Sequence, residues 1–307
     1  MNRKILPLFF LIFFLTTCGN NSAEITVCSQ KDCSFEFFEP YFVRIFDGLN
    51  YNWQKIDSDE LKPVPFVDLS EVPLISEGST VLAKKNDENG LSVVLYKKSG
   101  KGSAKIIHKL DNEIQEVISA CKTDFNFWTL ESAQSEKTGE KLFILSSYDT
   151  GLKNKEFYLL LKADKFLAVQ SLIRDQILYE EPSAISCSDH DVFVSTILYY
   201  ANFIQYSVYK FNLAEESIIP VLNFFPLSKG GIAKYYNAAT NTLYLHQENK
   251  LNIQKGLGFP SYATIKSDSD LLIFKNNGSI NFVTAIKEKK KFAKIRIFKE
   301  KALDISK

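Results

Sequence analysis

The chain is poor in the residues that most chemistry needs. Among 307 residues there are one Met, two Trp and three His. His108, His190 and His246 stand far apart, without the paired spacing of a zinc protease helix. No G-x-S-x-G elbow is present, which removes the usual serine hydrolase site. No phosphate-binding or dinucleotide loop is present either, and Gly256-Leu257-Gly258 runs into Phe259-Pro260, which breaks a helix start. Charge bias is missing too: 37 Lys+Arg stand against 36 Asp+Glu, which argues against a dedicated nucleic-acid binder. Helical periodicity is scarce and is read only at 112–120 and 173–179. No catalytic residue, metal ligand or cofactor is assigned, and the expectation leans away from an enzyme.

What is present favours strands. There are 25 Phe and 14 Tyr, residues that fit a half-buried pleated surface. Asn89-Gly90 and Asn277-Gly278 sit between apolar segments, the strongest short signal for a hairpin. Strands are read at 80–84, 91–97, 141–145, 156–161, 166–169, 192–197, 205–211, 243–245, 271–274, 280–286 and 293–298, several alternating at period two. Residues 192–209 carry no charge. They read as two buried strands with a turn near Ala201-Asn202, because Ser, Thr, Asn and Gln are scattered through them. The aromatic stretch 35–46 reads as core, as an N-terminal strand pairing with the last strand near 295–298, with an exposed aromatic ligand site as the alternative.

The first residues carry an address. Arg3 and Lys4 precede the uncharged run 5–15, eleven residues long, too short to cross a bilayer as a helix. A signal peptide over 1–17 is the reading. Leu15-Thr16-Thr17-Cys18 resembles the lipobox of bacterial lipoproteins, in a relaxed form similar to that of spirochaetes, with Thr17 where the strict box has Gly, Ala or Ser. The resemblance implies that Cys18 carries acyl chains such as palmitate and becomes the mature N-terminus. The protein would then be exported and lipid-anchored in the cell envelope, on the periplasmic face or the cell surface. Residues 18–34 are read as lipidated Cys plus tether, and 35–307 as one domain.

Export implies an oxidising space. Cys28 and Cys33 lie five apart, which leaves Cys121 with Cys187. Structural disulfides, buried free thiols and a metal site all stay open for these four.

A faint repeat runs through the body. Segments starting near 74, 118, 185, 232 and 263 each read as a short strand, a polar turn and a strongly apolar strand, with two spacings near 45. These segments resemble the first-to-second-strand turn of β-propeller blades, which take about 40–50 residues each. The fold expected is therefore all-β and antiparallel, a propeller of about six blades, with a large or tandem β-sandwich as the alternative. Equivalent turns at 122–124, 188–191, 237–241 and 266–270 would share one rim. Asp189, His190, Asp191, Asp268 and Asp270 are the ligand-rim candidates, although Ser188-Asp189-His190-Asp191 also reads as a plain turn. Both Asp-x-Asp turns lack the Gly and terminal Glu of a calcium loop. Residues 287–307 hold eight Lys and one Arg against three acids, a patch for anionic glycan, lipid headgroups or an acidic partner, or else a solvated hairpin guarding an edge strand. The expected function is membrane-anchored binding or scaffolding. The alternative is a glycan-active enzyme with a carboxylate-lined central pocket.

Overall fold

The computed structural model describes residues 22–306 except 29–31, 58, 65–66, 69, 89, 100–101, 110–113, 136, 150–154, 163–176, 225, 228–229, 248–249, 265–270, 277, 289–290, 301–302 and 304. Cys18, Asn89, Asn277, Asp268, Asp270 and the strand read at 166–169 lie outside the described residues.

Twenty-five strands form six small antiparallel sheets. The first blade holds β2 (Ser34–Phe38), β3 (Phe42–Phe46), β4 (Tyr51–Asp57) and β5 (Glu60–Pro63). The second holds β6 (Glu71–Glu77), β7 (Thr80–Asp87), β8 (Gly90–Ser99) and β9 (Gly102–Lys109). The third holds β10 (Ile114–Lys122), β11 (Asn126–Gln134), β12 (Lys141–Asp149) and β13 (Lys155–Lys162). The fourth holds β14 (Ile177–Cys187), β15 (Val192–Tyr200), β16 (Ile204–Asn212) and β17 (Ser217–Asn223). The fifth holds β18 (Ile232–Asn237), β19 (Thr242–Gln247), β20 (Lys250–Lys255) and β21 (Ser261–Thr264), edged by β25 (Ile305–Ser306). The sixth holds β22 (Leu272–Asn276), β23 (Ser279–Glu288) and β24 (Lys291–Lys299), and its outer strand is β1 (Ser22–Thr26).

Six hydrophobic clusters lie one in each gap between neighbouring blades, including the gap between the sixth and the first. The sheets therefore close into a ring. The chain is a six-blade β-propeller.

This geometry explains the apolar runs. A middle strand is sandwiched between two blades, so successive side chains enter two different cores. Val81 and Ala83 pack toward the first blade and Leu82 toward the third, all fully buried. The uncharged stretch 192–209 resolves the same way, as β15 and β16 joined at 201–203.

Several readings are corrected. Residues 114–120 form strand β10, not helix. Ile114, Val117 and Ala120 are buried at a spacing of three because bulges interrupt the register at 114/116 and 117/119. Each bulge inserts one residue and shifts the alternation, which mimics a helical period. Residues 177–179 likewise open β14. The aromatic stretch 35–46 does not pair with the last blade: it forms β2 and β3 of the first. The partner of 294–298 is β1, inside the stretch read as a tether, with Ser22 opposite Phe298 and Thr26 opposite Lys294. That pairing also means β24 is not an edge strand, and Arg296 meets Glu24 at 2.6 Å. Finally, the repeat start at 263 falls in β21, at the passage between blades, while those at 74, 118, 185 and 232 fall in first strands.

Candidate functional site

Each first strand ends in a turn to its second strand, and these turns gather on one rim. Asp124 N–H donates to the Asp189 carbonyl at 2.7 Å, joining the turns of the third and fourth blades. The disulfide Cys121–Cys187, Cα atoms 5.6 Å apart, fastens the same two blades beneath them. Cys28–Cys33 closes a short loop leading from β1 into the first blade. Three of the four turns expected on one rim, at 122–124, 188–191 and 237–241, are first-to-second-strand turns. The fourth, 266–270, joins β21 to β22 and lies outside the described residues.

Inside this rim opens a central cavity of about 1140 Å³. All six blades contribute to its lining. Its apolar wall includes Ile56, Leu74, Ile75, Val117, Ile118 and Phe274. The polar part of the wall carries lysines and carboxylates, some of them held in cross-blade pairs. Lys122 meets Glu77 at 2.5 Å, joining the third blade to the second. Lys234, almost wholly buried, pairs with Glu39 and so links the fifth blade to the first across the front of the sixth. Asp57 accepts from Lys62 at 2.6 Å and from Asn276 at 2.7 Å, tying the first blade to the sixth. These two donors hold its carboxyl below the ordinary range. Lys55 donates to the Ser76 carbonyl at 2.8 Å and lies over the Tyr41 ring. Burial lowers the Lys55 pKa, with Asp57 and Glu77 pulling the other way. The Tyr41 hydroxyl accepts from Ser76 N–H at 3.0 Å, and burial pushes its pKa well up. Burial also pushes Tyr235, on the cavity wall, up to about 12.

Of the rim candidates read from sequence, Asp189, His190 and Asp191 lie in the turn after β14, and Asp268 and Asp270 lie outside the described residues. Asp189 lines the cavity. His190 points outward with its side chain 72% exposed, stacked on Phe125 and 3.5 Å from Asp124. Asp191 is held by Lys210 at 2.8 Å. Lys55, Lys84, Lys122 and Lys234 were missed, because a lysine in a strand reads as solvent-facing until the ring places it at the axis. Lys234 gave no sequence signal: it is the bulged residue of β18, where the register skips between Ala233 and Tyr235 and the alternation is lost.

Among the described residues, no group of three or more His, Cys, Asp or Glu is placed to hold a metal ion. No helix among them is long and apolar enough to cross a membrane. The wall offers cations, carboxylates and apolar surface together, a setting for a ligand with both charged and apolar parts.

No family model matches the chain, and no curated protein matches it. Solved structures resemble it in fold. The AfRom2 CNH domain is 9% identical with a TM-score of 0.41, over 90% of this chain and 98% of that one. A functionally unknown protein from Desulfotomaculum acetoxidans is 8% identical, TM-score 0.43, over 89% and 94%. The β-propeller domain of Nup133 from Vanderwaltozyma polyspora is 10% identical, TM-score 0.37, over 90% and 93%. The architecture rests on the sheets and their register, and no ligand or activity is carried over from these proteins.

Proposed function

We propose that this chain is an exported lipoprotein, anchored through Cys18, whose propeller binds a ligand or partner at the central cavity. The observation that carries the binding half is the cavity itself: one open space reached by all six blades, with paired lysines and carboxylates around an apolar wall. The lipobox-like Leu15-Thr16-Thr17-Cys18 supports the anchoring half, and two disulfides suit an oxidising compartment. The catalytic alternative needs two carboxylates free to exchange protons across a bond. Glu39, Asp57 and Glu77 each face a lysine, and Lys62 with Asn276 holds the Asp57 pKa low, which supports the binding reading at those three positions; Glu116, Asp124 and Asp189 on the same wall are the carboxylates the catalytic alternative would use.

Both halves are testable. Cys18→Ser moves the protein from the membrane to the soluble fraction and abolishes labelling by a fatty-acid probe; retention of both contradicts the anchor. Native mass spectrometry of protein extracted from its own envelope in mild detergent shows a retained small molecule or peptide, and Lys55→Ala with Lys122→Ala reduces its retention. Identical spectra from the two forms contradict a ligand at the cavity.

A further inference from the structure

The place where the chain enters the ring constrains how an anchored propeller sits. Ser22 pairs with Phe298, which in turn pairs with Phe282, near the start of β23. That end of the sixth blade is the end carrying the β22–β23 turn, so the chain enters at the rim with the cavity mouth. Cys18 precedes Ser22 by four residues. Four residues reach about 14 Å at full extension. The opposite rim lies a full strand length away, about 30 Å for a nine-residue strand such as β24.

Exposed apolar side chains stand beside this entry point. Glu300, just after β24, meets Lys255 at 3.8 Å. The next residues form the β20–β21 turn, where Leu257 is 74% and Phe259 81% exposed. Gly256 takes φ +56 there, and its N–H donates to the Asn241 carbonyl at 3.0 Å, which seats the turn on the cavity rim. Phe125 and Leu213 are exposed on the same rim. Leu49 and Ile232 are exposed at the opposite rim, so exposure alone does not choose a face. The short reach from Cys18 does. The flank of the sixth blade is unsuited, because it presents the Glu24–Arg296 ion pair.

The geometry points to a bilayer contact: the rim bearing the cavity mouth rests on the membrane, with Leu257 and Phe259 in its interfacial layer. This rests on lipidation of Cys18. Aromatic and aliphatic side chains partition into that layer through buried apolar area. Asp124, Asp189, Glu215 and Glu216 also lie on this rim, so the contact does not depend on anionic lipid. The cavity would then open toward the membrane surface.

Tryptophan fluorescence tests this in the full lipidated protein, reconstituted in neutral phosphatidylcholine vesicles with brominated acyl chains. Trp53 and Trp128 are buried, so a new surface Trp dominates the change. Leu257→Trp and Phe259→Trp shift to the blue and lose emission to the brominated lipid, while Leu49→Trp on the opposite rim does neither. Equal behaviour at all three positions, or quenching at Leu49→Trp alone, overturns the orientation in a protein that still floats with the vesicles. Shielding of Leu257→Trp only after other envelope proteins are added also overturns it and indicates a protein partner instead. Absence of lipid on Cys18, read by mass, sinks the lipoprotein reading and removes the anchor on which the orientation depends.

Discussion

Among the described residues three glutamates are fully buried, and each is bonded by a tyrosine from the third strand of its own blade. Glu71 accepts from Tyr96, Glu131 from Tyr148 at 3.2 Å, and Glu180 from Tyr209 at 2.9 Å. Glu71 also holds Lys105 at 2.8 Å. Burial pushes all three tyrosine pKa values up, and the neighbouring carboxylates add to the effect. Leaving a buried hydroxyl without its acceptor costs about 1–3 kcal/mol. Glu71→Ala is accordingly expected to lower unfolding free energy by roughly that amount in urea titration, and a change within error would contradict its structural weight. None of these pairs was legible in the sequence, because the partners lie 25, 17 and 29 residues apart and a lone Glu in a strand reads as exposed. Asp57 gives a pH signature. Its folded pKa is lowered by Lys62 and Asn276, so its stabilising share is complete above the ordinary Asp value near 4 and is lost as pH falls through the lowered value. Thermal melts between pH 6 and 2 should show a steeper acid loss for the native chain than for Asp57→Asn; parallel curves would exclude that contribution.

At the scale of the element, the first strands carry both the errors of sequence reading and most of the site. β6, β10, β14 and β18 all contain bulges. A bulge breaks period two, which is why 112–120 reads as helix and why Lys234 gives no alternation to follow. The second and third strands keep their register far better and were legible, with β15 and β16 recovered from composition alone. The polar turn between them and the first strand was legible too, in four blades, from its Ser/Asp/Asn character before an apolar run. The same pattern occurs where β21 passes to β22, so a local signal cannot separate a turn within a blade from a passage between blades. The inter-blade disulfide belongs at this scale. It spans 66 residues and fastens β10 to β14, so its loss should cost about 4 kcal/mol in the loop-entropy account. The double variant Cys121→Ser with Cys187→Ser, which leaves no odd thiol, is expected to melt well below the native chain under non-reducing conditions. Unchanged melting would show that the two blades are held without it.

The whole molecule is a ring whose sixth blade takes its outer strand from residues 22–26, ahead of the first blade. β1 completes the sixth blade, and Ile25 packs with Leu272, Val283 and Ile297 in the cluster shared with the first blade. Ile25→Asp puts a charge into that cluster. The expected result is a single cooperative loss of several kcal/mol, seen as faster proteolysis of the entire body; cleavage confined to residues before Ser34 would mean that the ring holds without its outer strand. The same short strand begins four residues after Cys18, on the rim of the cavity, so the proposed anchor would act at that rim. The most direct measurement of the whole account is the intact mass of protein extracted from its own membranes, read without reduction and after thiol alkylation. The account predicts a chain that begins at Cys18, carries acyl chains there, and has no alkylated thiol at Cys28, Cys33, Cys121 or Cys187. A chain that retains residues 1–17, lacks lipid, or alkylates at any of those four cysteines would contradict it.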